Sequence, residues 1–156
     1  MTAHSIVAAL GIYAGTFVVG AISSVVPLVS IDVFLVGITF AAGLSGAVPI
    51  ALVVILAAAG QLAGKLPIYV ATRGVVALPG PHRARIARLR ARLARWQRAP
   101  HLVLATSAVV GLPPFSLVAT AAGALAIGVR PFCLVVFAGR GLRFTLVIAA
   151  TALASR

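Results

Sequence analysis

Acid is what this sequence lacks. Among 156 residues there is one acidic side chain, Asp32, against thirteen Lys and Arg, for a net charge of +12. A single carboxylate excludes an aspartate dyad and any carboxylate-rich metal site. The three histidines, His4, His82 and His101, stand far apart and lack metal-ligand spacing. No metal centre and no cofactor is therefore expected. One cysteine, Cys133, excludes an internal disulfide framework and reads as small apolar filler in a helix. The stretch Met1 to Ser5 holds no Lys or Arg. That argues against a cleaved signal peptide, which needs a basic start, so the first apolar segment is expected to stay. Lysine occurs once, at Lys65, beside heavy use of alanine and arginine, a bias that points to a GC-rich bacterial genome.

Charge of either sign is scarce, at 9% of residues, where a soluble domain carries about 25%. What is there instead is apolar: 62% of the chain is hydrophobic, with a mean hydropathy of +1.19. A soluble core of this size cannot hide that much apolar surface, so lipid must solvate most of it. The composition predicts an all-α polytopic membrane protein, a single integral membrane domain over residues 1–156. It divides into a first half (5–78), a basic linker (79–99) and a second half (100–156).

In chain order, Ile6 to Ile22 is apolar and with its flanks is just long enough to cross a bilayer as a helix. Ser23 to Gly46 is interrupted by Pro27, Asp32, Gly37 and Gly43. Neither part spans alone, so it reads as a broken re-entrant hairpin lined by protein or water, or else as one kinked span from Val25 to Leu44. Ala47 to Leu66 is a clear span. It carries the small-xxx-small pair Gly60 and Gly64, and another such pair, Gly11 and Gly15, lies in the first span. Pro67 is expected to break the helix, and Tyr69 and Arg73 to sit at the lipid–water interface. His101 to Val110 is apolar again and Gly111-Leu112-Pro113-Pro114 breaks it. Phe132 to Ser155 reads as the last span.

A repeat links the halves. Pro27-x-x-Ser30-x6-Gly37 is matched 86 residues later by Pro113-x-x-Ser116-x6-Gly123. Two re-entrant turns are expected, at Pro27 and Gly37 and at Pro113, Pro114 and Gly123. Between the copies lies the most basic segment. Arg83, Arg85, Arg88, Arg90, Arg92, Arg95 and Arg98 surround a stripe of Ile86, Leu89, Leu93 and Trp96. This is the pattern of an amphipathic helix lying on anionic lipid. Positive charge places it on the cytoplasmic side. Nucleic-acid binding is not expected, since no DNA-binding motif is present and a lipid surface is adjacent.

Asp32 is the residue with the most chemistry. An ionisable group in apolar sequence is costly and is read as functional, with a partner. Its candidate partners are all basic: Arg140 and Arg143 foremost, then Arg73 and Lys65. A static ion pair and a hydrated interfacial carboxylate are the competing readings. Gly43-Leu44-Ser45-Gly46 matches the Gly-x-Ser-Gly of rhomboid proteases. However, the only later histidines lie in the basic linker and at the edge of a span. An activated serine needs such a base within hydrogen-bond reach, so no enzyme is expected.

Four stretches in order resemble the DedA/VTT superfamily, in particular its small bacterial members. They are Ser23 to Gly37, Gly60 to Gly74 with Tyr69 and Arg73, Gly111 to Gly123, and Phe137 to Phe144 with Arg140 and Arg143. The resemblance covers roughly residues 20–150. It implies two re-entrant helices meeting in the membrane and a role in lipid translocation or membrane homeostasis, often proton-coupled in bacterial members. Asp32 matches the acidic position after the first proline turn, and Arg73 the arginine closing the glycine-rich segment. Where longer members carry an arginine after the second turn, this chain has Leu117-Val118. The expectation is a lipid transporter or scramblase of the bacterial cytoplasmic membrane, acting on an anionic phospholipid or polyprenyl-phosphate lipid. Ser30, Asp32, Arg73, Ser116, Arg140 and Arg143 would form its polar path. The alternative is a non-transporting membrane scaffold whose basic helix binds anionic lipid or a partner protein.

Overall fold

The structure, a computed structural model, describes residues 3–26, 30–77, 100–110, 115–125 and 127–154, without the side chains of 3–9, 75–77, 100–101, 103 and 115–117. Among the described residues there are six helices and no strand: α1 (Ala3–Val25), α2 (Ile31–Ala41), α3 (Ala47–Ala77), α4 (Pro100–Val110), α5 (Phe115–Ala124) and α6 (Val129–Ala154). The all-helical class expected from composition is what forms. The turn residues Pro27, Pro113 and Pro114, the side chain of Ser116 and the basic stretch from Arg83 through Trp96 to Arg98 lie outside the described residues.

Local chemistry sets the helix ends. Ser30, in extended conformation, caps α2, its hydroxyl accepting from the Val33 N–H at 3.4 Å. Beyond Ala41, Gly43 takes φ +57 and the chain leaves the helix there, as a left-handed glycine allows. Gly46, at φ +92, turns the chain into α3, and Pro49 then falls in the first turn, where a missing N–H is harmless. Pro100 opens α4 in the same way. Within Ser23 to Gly46 the described residues make the end of α1, the cap at Ser30, the 11-residue α2 and the turn through Gly43 and Gly46 into α3.

Among the described residues, two helices are long and apolar enough to cross a membrane: α3 over Ala47–Gly74 and α6 over Val129–Ala154. At 31 residues, α3 is about 46 Å long against a hydrocarbon core of about 30 Å. Its helical assignment continues through Pro67, which corrects the break expected there. A proline costs one backbone hydrogen bond, and helices in apolar surroundings tolerate it where neighbouring groups hold the flanks. Here Tyr69 and Arg73, just beyond Pro67, are tied to the chain at Ile127.

The chain divides into two compact units, residues 1–64 with 140–156, and residues 65–139. In the first unit, Ile31 and Leu35 of α2, Val53, Val54, Ala57 and Ala58 of α3, and Phe144 and Ile148 of α6 form the core. Close backbone approach joins α1 to α3. A Cβ on Gly20 would lie 2.8 Å from the Ala57 carbonyl, and one on Gly60 would strike the carbonyl of Phe17. Residues further along α1 meet residues further along α3, so the two run parallel. Of the two small-xxx-small pairs, Gly60 and Gly64 are packed, whereas Gly11 and Gly15 face open space.

In the second unit, α4 packs on α5. A Cβ on Gly123 of α5 would lie 2.6 Å from the Tyr69 carbonyl of α3, and one on Gly139 of α6 would lie 2.6 Å from the Ala108 Cβ of α4. Gly37 and Gly123, expected at turns, lie inside α2 and α5 instead. Gly123 is needed for contact with α3, whereas Gly37 meets nothing within 4 Å. Each unit thus pairs the short helix of one half of the sequence with the long helix of the other: α2 with α6, and α5 with α3.

Candidate functional site

In the first unit, α2 presents Asp32 one turn past its cap, and α6 presents Arg143. The guanidinium meets the carboxylate side-on. Nη2 donates to Oδ2 at 2.6 Å and Nε donates to Oδ1 at 3.3 Å. This is the two-pronged geometry in which arginine binds carboxylate or phosphate best. Both side chains are about a quarter exposed, at 25% for Arg143 and 27% for Asp32. The pair is neither sealed in a core nor free in solvent. An open depression of about 250 Å³, lined by Asp32, Val33, Val36 and Val147, adjoins it. Apolar side chains and one carboxylate edge share that wall.

Arg140 sits one turn before Arg143 on α6 and is 9% exposed. It lies within electrostatic reach of both Arg143 and Asp32. Two cations and one carboxylate therefore share this site, leaving it net positive. Ser30 is exposed and is occupied with its cap. Of the six residues expected on the polar path, the structure brings Asp32, Arg140 and Arg143 together, with Ser30 two residues from Asp32. Arg73 belongs to the second unit.

Arg73 has a different setting. Its Nη1 donates to the Tyr69 hydroxyl at 2.7 Å and to the Ile127 carbonyl at 3.0 Å. The Tyr69 hydroxyl itself donates to the same carbonyl. Ile127 follows the end of α5, where the Ile127 N–H reaches back to the Ala122 carbonyl at 3.1 Å. Its own carbonyl would otherwise be an orphan, and Tyr69 and Arg73 satisfy it. Tyr69 was expected at the lipid–water interface. It is instead fully buried, its ring stacked on Phe132 with centroids 4.3 Å apart. Its hydroxyl has protein partners, which is what allows a tyrosine to be sealed in. The one signal for this role is its spacing: Tyr69 and Arg73 are four apart and so share a helix face.

A second polar contact also escaped the sequence. Gln61 of α3 is buried and donates through Nε2 to the Ser23 hydroxyl of α1 at 2.8 Å. Ser23 in turn donates to the Gly20 carbonyl at 2.9 Å. Among the described residues no cluster of three metal-ligating side chains occurs. Compared with family models, curated proteins and solved structures, the chain matches none.

Proposed function

We propose that the chain is an integral protein of the bacterial cytoplasmic membrane that moves an anionic lipid, as its resemblance to the DedA/VTT superfamily implies. The observation that carries this reading is the Asp32–Arg143 pair. A chain with one acidic side chain places it on a short broken helix, opposite an arginine fork and beside an apolar depression. Broken half-helices are where transporters build sites for charged substrates. A lipid phosphate and a carboxylate compete for the same two donors of Arg143. A phosphate entering the fork releases Asp32, and a proton taken up by Asp32 would free the fork, which gives a route to proton coupling. Valines along the depression suit acyl or prenyl chains.

In this reading α1, expected from sequence to span, instead pairs with α2 as one re-entrant hairpin because it runs parallel to α3, α4 with α5 is the other hairpin, and α3 and α6 are the spans. The basic linker lies on cytoplasmic anionic lipid. The test is lipid transfer in reconstituted vesicles, using a fluorescent phosphatidylglycerol quenched from outside. Wild-type protein should expose inner-leaflet lipid to the quencher well above protein-free vesicles, and Asp32→Asn should not. Transfer at the protein-free rate would leave the scaffold reading in its place.

A further inference from the structure

The two arginines that make two-pronged contacts use their donors differently. Arg143 spends its Nε and Nη2 edge on Asp32. Arg73 spends only Nη1, whose two hydrogens go to Tyr69 and to the Ile127 carbonyl. A guanidinium has five N–H donors, so the Nε–H and both Nη2–H groups of Arg73 remain. Those atoms form the side-on fork that fits a carboxylate or a phosphate. Among the described residues nothing accepts from them.

Among the described residues the charge of Arg73 has no answer either. The sole acidic side chain, Asp32, is engaged by Arg143 in the other unit. The acceptors that Arg73 does touch are neutral, so they orient the guanidinium without compensating it. Its position is fixed from two sides. The buried Tyr69, stacked on Phe132, sits one turn before it, and Gly123 packs against the Thr72 Cβ and the Arg73 backbone nitrogen. Arg130, three residues after Ile127, is exposed and adds a second cation to the same turn of chain. A half-buried arginine held at Nη1, whose fork edge meets no anion among the described residues, is suited to receive one from outside.

We infer that Arg73, held by Tyr69 and the Ile127 carbonyl, is an anion site that takes the phosphate of a lipid headgroup of net negative charge, not one whose phosphate is already neutralised by its own choline. The inference rests on the membrane reading but not on transport. It adds a phosphate position distinct from the Asp32–Arg143 pair.

The experiment uses wild-type protein in nanodiscs and reads phenylglyoxal modification of Arg73 by peptide mass spectrometry. Phosphatidylglycerol nanodiscs should slow modification at least fivefold relative to phosphatidylcholine nanodiscs. Inorganic phosphate added to the phosphatidylcholine nanodiscs is a third arm. Protection there equal to that of phosphatidylglycerol would move the source from lipid to free phosphate and overturn the headgroup assignment. Equal rates in all three arms would overturn the site. Arg73→Gln, checked for folding by circular dichroism, should lower the phosphatidylglycerol-to-phosphatidylcholine ratio of lipid retained through purification at least threefold, and Arg73→Lys should restore part of it. An unchanged ratio in folded Arg73→Gln would again overturn the site. Protection at Arg73 with no lipid transfer by wild type would defeat the transport reading and leave this one standing.

Discussion

Asp32 and Arg143 are separated by 111 residues of sequence and meet through two hydrogen bonds, the shorter at 2.6 Å. That contact joins α2, in the first half of the sequence, to α6, in the second. Because the pair is partly exposed, its strength falls between that of a surface pair, about 0–1 kcal/mol, and the ~3–5 kcal/mol cost of breaking a buried one. Asp32→Asn and Arg143→Gln should each destabilise the protein in detergent. The double variant should lose less than the sum, with a coupling of about 1–2 kcal/mol. Chemical unfolding of the four proteins measures it. Additive losses would mean that the two groups do not support each other.

The α1–α3 contact depends on glycine at Gly20, Gly60 and Gly64, whereas Gly15 of α1 and Gly37 of α2 face open space. Gly60→Ala puts a methyl against the Phe17 carbonyl and should cost about 1–3 kcal/mol by overpacking. Gly15→Ala and Gly37→Ala add a methyl where nothing lies within 4 Å, and should be neutral or slightly stabilising. Melting temperatures in one detergent compare the three. Equal losses at all three positions would contradict the close approach.

Pro67 lies within a continuous α3. Pro67→Ala restores a backbone donor without changing the path of the helix. It should therefore leave stability unchanged or raise it, against a proline penalty of up to ~3 kcal/mol in an ordinary helix interior. Thermal unfolding is the check. A marked loss would mean that the proline shapes the helix in a way its continuity does not reveal.

The topology is open to single-cysteine labelling. In a Cys133→Ala background, Ser45→Cys sits in the α2–α3 loop and Arg90→Cys in the basic linker, with the spanning length of α3 between them. An impermeant thiol reagent should label Ser45→Cys in intact spheroplasts of an expressing bacterium, and Arg90→Cys only after lysis. Labelling of both in intact spheroplasts would place α3 outside the bilayer or along its surface.

Much of the fold could be read from composition and punctuation. Gly43, which reads as an interruption, marks the end of α2, because breaks are local chemistry, whereas Ser30 reads only as part of the repeat and proves to cap the start of α2. Pro67 misled for the same reason: a local rule predicts a stop, and tertiary ties beyond it override the rule. The pairing of Asp32 with Arg140 or Arg143 was legible because the sequence has a single acid to share. The choice of Arg143 was not, since it depends on which face of α6 turns to α2. Tyr69 looked interfacial because its partner is a backbone carbonyl, and any residue at position 127 supplies one. Gly60 and Gly64 read the same as Gly11 and Gly15 in sequence. Only the position of α1 separates the packed pair from the open one.

The exchange of short helices between the two halves has a consequence for synthesis. In the membrane reading, Asp32 is made and inserted long before its partner exists. At about 5–20 residues per second, the 111 residues to Arg143 take roughly 6–22 s to translate. Through that interval the carboxylate has only water, headgroups or the insertion machinery for company. The same delay holds in shorter form for α3, whose Tyr69 and Arg73 wait 58 and 54 residues for the carbonyl of Ile127. Biogenesis of this chain is therefore a matter of timing. A stop codon between α2 and α6 leaves a fragment that carries Asp32 without Arg143, its partner in the full chain.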